Sequence, residues 1–163
     1  MQSKGFKLQP ALGEEVSGIH LWLILIKAFH SLDACSSQRL RASGLGDSDF
    51  RILELLLHKG PMPVNAIGPR VFLTQGSVSI ALDRLNGRGL VSRTDDPKDR
   101  RIRVIDLTRT GRTLIERVFS AHAIDMEQLA SILTPSERMH LAEVLKKFGK
   151  HAAECLLSAK PAG

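Results

Sequence analysis

Over residues 14–40 the apolar positions do not keep to one stripe. Val16, Ile19, the run 21–26, Phe29 and Leu32 fill more of a helical circumference than a surface helix needs, and no proline interrupts them. The pattern predicts one helix buried on more than one side, with a second subunit as the natural source of the extra burial. Gly44-Leu45-Gly46 ends it. Asp47 or Ser48 can cap a second helix, whose stripe Phe50, Leu53, Leu56 and Leu57 runs to the stop Lys59-Gly60-Pro61. A short third helix is predicted over 63–70. Gly68-Pro69 should shorten or kink it, because proline removes an internal hydrogen bond. Leu73-Thr74 then opens a fourth helix that reaches Arg88 with Val78, Ala81, Leu82 and Leu85 inward. Two short helices joined by a tight turn make a helix-turn-helix.

After Gly89 the period changes from helix to strand. Residues 90–93 form one strand candidate and 101–107 the other, with Arg101, Arg103 and Ile105 alternating against Ile102, Val104 and Asp106. The turn-rich Asp95-Asp96-Pro97-Lys98-Asp99 lies between them, so the pair reads as a hairpin wing. Two more helices follow. One starts near Thr108 with the stripe Ile115, Val118, Phe119, His122, Met126, Leu129 and Leu133. The other is opened by Thr134-Pro135-Ser136-Glu137, a capping box with proline at the first helical position. The expected fold class is mainly α with a small β-hairpin wing, a winged helix-turn-helix flanked by terminal helices. The 163 residues show no repeat or linker that would mark a second domain.

Composition changes this picture in one respect. Apolar and charged fractions of 43% and 25% are ordinary for a globular chain, but a net charge of +6 favours an anionic partner. The charge is concentrated: between Arg84 and Arg112 there are nine basic residues against four acidic ones. A positive strip across a helix end and a hairpin is what phosphate contacts require, whereas a solvated basic face is the bland alternative. Cys35 and Cys155 stand far apart without paired spacing, which fits a reducing cytoplasm better than a disulfide framework or a zinc knuckle. The run 21–26 ahead of Leu32-Asp33-Ala34-Cys35 imitates a lipoprotein signal. Against that reading, Glu14 and Glu15 stand where positive charge is needed, and Lys27 and His30 break an apolar run too short to span a bilayer. No membrane association is therefore expected.

Residues 73–111, LTQGSVSIALDRLNGRGLVSRTDDPKDRRIRVIDLTRTG, resemble the recognition helix and wing of the MarR family of regulators. The resemblance rests on Leu82 and Leu85, the exit Gly89-Leu90-Val91 with Arg93, the wing Asp96-Pro97-Lys98-Asp99-Arg100-Arg101, and Leu107-Thr108 before Gly111. It implies one MarR-like domain over 1–163, with dimerisation helices at 12–42 and 108–159 around a DNA-binding region at 47–107. It also implies a homodimer on double-stranded DNA, usually a repressor on an inverted repeat.

Thr74, Gln75, Gly76, Ser77 and Ser79 then fall at the start of the helix that enters the major groove, with Arg84 further along it. Hydroxyls and an amide can bond base edges or phosphates there, although Thr74 and Ser77 could equally cap the helix. Gly76 replaces the small hydroxyl residue usual in the family, which loses one base contact but permits closer backbone approach. In the wing, Asp99 matches the aspartate that orients an arginine toward the minor groove. Arg101 is the expected insertion and Arg100 or Arg103 the backbone contact.

The same resemblance implies release by a small effector, and His20, Trp22, His30 and His122 could line a pocket for an aromatic one. Ordinary core or dimer packing is the competing reading of those large residues. His140, His151 and Cys155 share roughly one helical face, but their loose spacing points to an amphipathic helix, so no metal is expected. Nothing resembles a phosphate loop, a nucleophile elbow or a zinc-protease motif; no catalytic residue and no cofactor are expected. A winged helix that contacts protein, or a sequence-neutral DNA binder, remain the rivals. The first would not need the arginine-rich wing, and the second would not gain affinity from base contacts.

Overall fold

The computed structural model describes residues 16–95, 99 and 101–158, without the side chains of Gln38 and Arg39. Helix α1 (Gly18–Ala42) opens where Ser17 accepts a bond from the His20 amide, and closes at Ser43 and Gly44, whose φ is +75°. Glu14 and Glu15, placed in this helix by the sequence pattern, lie outside the described residues. Burial on more than one side is not met within one chain. Leu40 is buried, but Ile19, Trp22, Ile24 and Phe29 are each about half exposed. By length and composition alone α1 could cross a bilayer.

Helices α2 (Asp47–Lys59), α3 (Val64–Val71) and α4 (Gln75–Gly87) pack together, with α3 and α4 forming the helix-turn-helix. Their buried residues Leu53, Leu56, Ile67, Val78, Leu82 and Leu85 meet in one core. Helix α3 is short, but Pro69 does not end it. It continues through Pro69 and stops at Phe72, which adopts the left-handed conformation (φ 56°) although it is not glycine and is 89% exposed. The turn closes tightly enough that a Cβ on Gly68 would sit 2.9 Å from the Leu73 carbonyl.

Strands β1 (Met62–Pro63), β2 (Val91–Asp95) and β3 (Arg103–Leu107) build an antiparallel sheet in the order β1-β3-β2. The wing strands pair Val91 with Leu107 and Asp95 with Arg103, so both begin slightly later than the alternation predicts. The third strand was not foreseen. Met62 and Pro63 pair with Ile105 and Val104, a stretch too short to carry a period. Within the wing tip, Asp96, Pro97, Lys98 and Arg100 lie outside the described residues.

The helix-to-wing passage is closed by a clasp. Gly89 takes φ +64°, and the Leu90 amide bonds the Leu85 carbonyl. The Thr108 amide donates to Leu90 O and its hydroxyl to Gly89 O at 2.7 Å, while the same hydroxyl accepts from the Gly111 amide at 3.0 Å. Helix α5 (Arg109–Ala130) therefore starts pressed against the end of α4, burying Gly111, Ile115 and Val118. Two ring contacts extend its packing on α2: Phe50 with His122 at 4.9 Å and His58 with Phe119 at 4.8 Å.

The chain groups into two compact units with the boundary between His122 and Ala123. In the second unit the end of α5 turns into α6 (Pro135–Ser158) through the expected capping box. The Glu137 carboxylate accepts from the Thr134 amide and hydroxyl, each at 2.8 Å, and the Glu137 amide bonds back to Thr134 Oγ1. These bonds hold the Glu137 carboxyl below its usual range. Arg138 ties the turn to the Ala130 carbonyl and to Glu127. Met139, Leu141, Val144, Leu145 and Phe148 along α6 are exposed.

Candidate nucleic-acid interface

The inward stripe Val78, Ala81, Leu82 and Leu85 fixes which side of α4 meets the core, and this leaves Gln75, Gly76, Ser77 and Ser79 exposed. Thr74 is the N-cap: its hydroxyl accepts from the Ser77 amide at 3.2 Å and lies 2.9 Å from the Ser77 hydroxyl. Those two hydroxyls thus serve the helix start, as the capping reading expected, while Gln75 and Ser79 have no such duty. Gln75 lines a groove of about 310 Å³ together with Val64 and Asn65 from α3 and Arg101, Ile102 and Arg103 from the wing. Helices α3 and α4 and the tip end of the wing therefore line one cleft, which Arg101 and Arg103 border. Asn65 was missed in the sequence; a polar residue in the first turn of α3, opposite the buried Ile67, is the signal that would have found it.

The arginines divide by partner. Arg84, grouped with the groove residues on sequence grounds, has its guanidinium on Asp49 of α2, with Nε 2.9 Å from Oδ2 and Nη2 2.6 Å from Oδ1. Hydrogen bonding to that carboxylate raises its pKa above the ordinary value. Arg93 pairs with Asp83 at 2.6 Å and joins β2 to α4. Arg103 pairs with Asp95, its opposite residue in the ladder. Arg101 is exposed and has no ion pair among the described residues; its backbone amide donates to Asp99 Oδ1 at 2.9 Å. Asp99 thus shapes the chain at Arg101 through the backbone. Arg100, expected beside it, lies outside the described residues.

The residues expected around an effector sit on different helices. His20, Trp22 and His30 belong to α1, where His20 Nδ1 is 3.2 Å from the Ser17 hydroxyl, Trp22 is half exposed, and His30 lies against Phe29. His122 packs edge-on against Phe50, with its Nδ1 buried and without a hydrogen-bond partner among the described residues. A separate groove of about 500 Å³ is lined by Leu90, Arg109, Thr110, Thr113, Leu114 and Arg117. Cys35 is half-buried and Cys155 exposed, with the His151 ring 3.7 Å from the Cys155 sulfur. Among the described residues no three potential metal ligands gather.

Comparison with known proteins agrees with this geometry. Residues 43–102 match the model of the MarR family. The HTH-type transcriptional regulator MhqR of Bacillus subtilis is 31% identical over 136 residues, covering 83% of this chain and 94% of that protein. YkoM of the same organism, also an HTH-type transcriptional regulator, is 33% identical over 144 residues, covering 88% and 94%. Among solved structures, Bordetella bronchiseptica BpsR, whose DNA binding is regulated by 6-hydroxynicotinic acid, superposes with a TM-score of 0.71 at 27% identity, covering 79% of this chain and 98% of that one.

Proposed function

The chain belongs to the MarR family of DNA-binding transcriptional regulators, and from that premise we propose that it works as a homodimeric repressor reading an inverted-repeat operator. The observation that carries this reading is the cleft shared by Gln75, Asn65, Arg101 and Arg103. It combines amide groups able to bond base edges with cations suited to phosphates or a narrow groove. Gln75 and Ser79 read bases, Gly76 lets the backbone approach, and Thr74 and Ser77 hold the helix start. Arg101 enters the minor groove beside Asp99, and Arg100 or Arg103 serves the backbone.

Homodimerisation accounts for the exposed apolar side chains of α1 and α6, which a second copy would cover. On this reading α1 faces another protein chain in the cytoplasm and not lipid, and residues 12–42 and 108–159 are the dimerisation helices around a DNA-binding region at 47–107. The regulator carries out no catalysis and needs no cofactor. A small aromatic effector, of the kind that regulates BpsR, is the proposed releasing signal. It would only have to bind one arrangement of the two DNA-binding regions better than the other.

The test is binding of the purified protein to DNA from upstream of its own gene and to a random duplex, at several salt concentrations. Tighter binding to the upstream fragment supports the regulator. Equal binding to both would leave a sequence-neutral binder, and no binding at low salt would leave a protein-contact module.

A further inference from the structure

Among the described residues Asp49 is the one buried charged side chain, 2% exposed at the start of α2. Its two oxygens face α4: Arg84 grips both, and Arg88 Nη1 lies 3.9 Å from Oδ2. Arg84 also reaches the Ser48 hydroxyl at 3.3 Å, and Arg88 donates to the Gly44 carbonyl at 3.0 Å. Gly44 lies in the turn between α1 and α2 and Ser48 in the first turn of α2, so this turn and the start of α2 together hold α4 at two points one helical turn apart.

We infer that Asp49, acting through Arg84 and Arg88, is a positioning residue that sets the angle at which the recognition helix meets DNA; the inference rests on the DNA-binding reading above. A buried carboxylate tolerates little displacement of its cation, because an uncompensated buried charge is costly. The clamp lies on the C-terminal half of α4, while the reading residue Gln75 lies nine residues earlier, a lever of roughly 13 Å. A tilt of about 10° at the clamp would move Gln75 by about 2 Å, enough to break a hydrogen bond to a base. Arg84 then contributes to specificity without touching DNA. Because the clamp is anchored beside the end of α1, a displacement of that helix reaches the recognition helix by the same contacts.

Four proteins test this: wild type, Asp49→Leu, Arg84→Met and the double variant, each titrated by fluorescence anisotropy with upstream DNA and with a random duplex over a range of salt. Far-UV circular dichroism checks folding. Each single change should lower the ratio of upstream to random affinity about tenfold, and the double variant should lower it by the same factor as the worse single, the signature of one coupled unit. Random-duplex affinity and the salt slope should stay at wild-type values. If Asp49→Leu fails to fold, the double variant carries the test, since an apolar pair commonly replaces a buried ion pair without loss of the fold.

A double variant that keeps the full ratio would overturn the inference. So would an Arg84→Met protein that loses affinity for both duplexes with a salt slope reduced by about one, which is the mark of a phosphate contact. Wild-type protein that treats both duplexes alike would instead sink the sequence-specific reading, and the inference with it.

Discussion

Gln75 and Arg101 line the same groove, and the proposed function gives them different work. An amide at the start of a helix in the major groove discriminates between bases, whereas an exposed guanidinium mostly meets charge. Gln75→Ala should therefore cost about 1–3 kcal/mol on upstream DNA and almost nothing on a random duplex. Arg101→Ala should weaken both and lower the salt slope by about one, as counterion release requires. Anisotropy titrations of both variants in parallel measure this, and interchanged phenotypes would reverse the two roles. Ser77 belongs to a different group, because its bonds to Thr74 spend its hydroxyl on the helix start.

At the scale of elements, the clasp between α4 and α5 explains why Gly89-Leu90, Thr108 and Gly111 occur together. A Cβ on Gly111 would lie 1.9 Å from the Leu90 carbonyl oxygen, a backbone atom that cannot swing aside. Gly111→Ala should thus force α5 away from the passage between α4 and β2, destabilising the fold by about 2 kcal/mol or more. Thermal unfolding followed by circular dichroism checks this, and an unchanged midpoint would mean that the clasp is not tight. The motif was legible in the sequence, but its physical cause was not, since Leu90 and Gly111 meet only after the hairpin has folded between them. The same limit applies elsewhere. The inward face of α4 and the capping box at Thr134 could be read locally, because each rests on residues a turn or two apart. The partner of Arg84 could not: Asp49 is 35 residues away, and an acid in the first turn of α2 reads equally well as a favourable charge at a helix N-terminus. Strand β1 escaped because two residues carry no period.

For the whole molecule, the apolar pattern of α1 promised more burial than one chain supplies, and the sequence could not say what covers the remainder. The proposed second copy of the chain would resolve this, and it would also supply a second recognition helix. Two such helices on successive major grooves would make the +6 charge and the exposed apolar helices parts of one arrangement. Hydroxyl-radical footprinting of the upstream fragment tests that arrangement most directly. The account predicts two protected patches related by an inverted repeat and centred about 34 Å, roughly one helical turn, apart. A single patch, or even protection without any pattern, would contradict it.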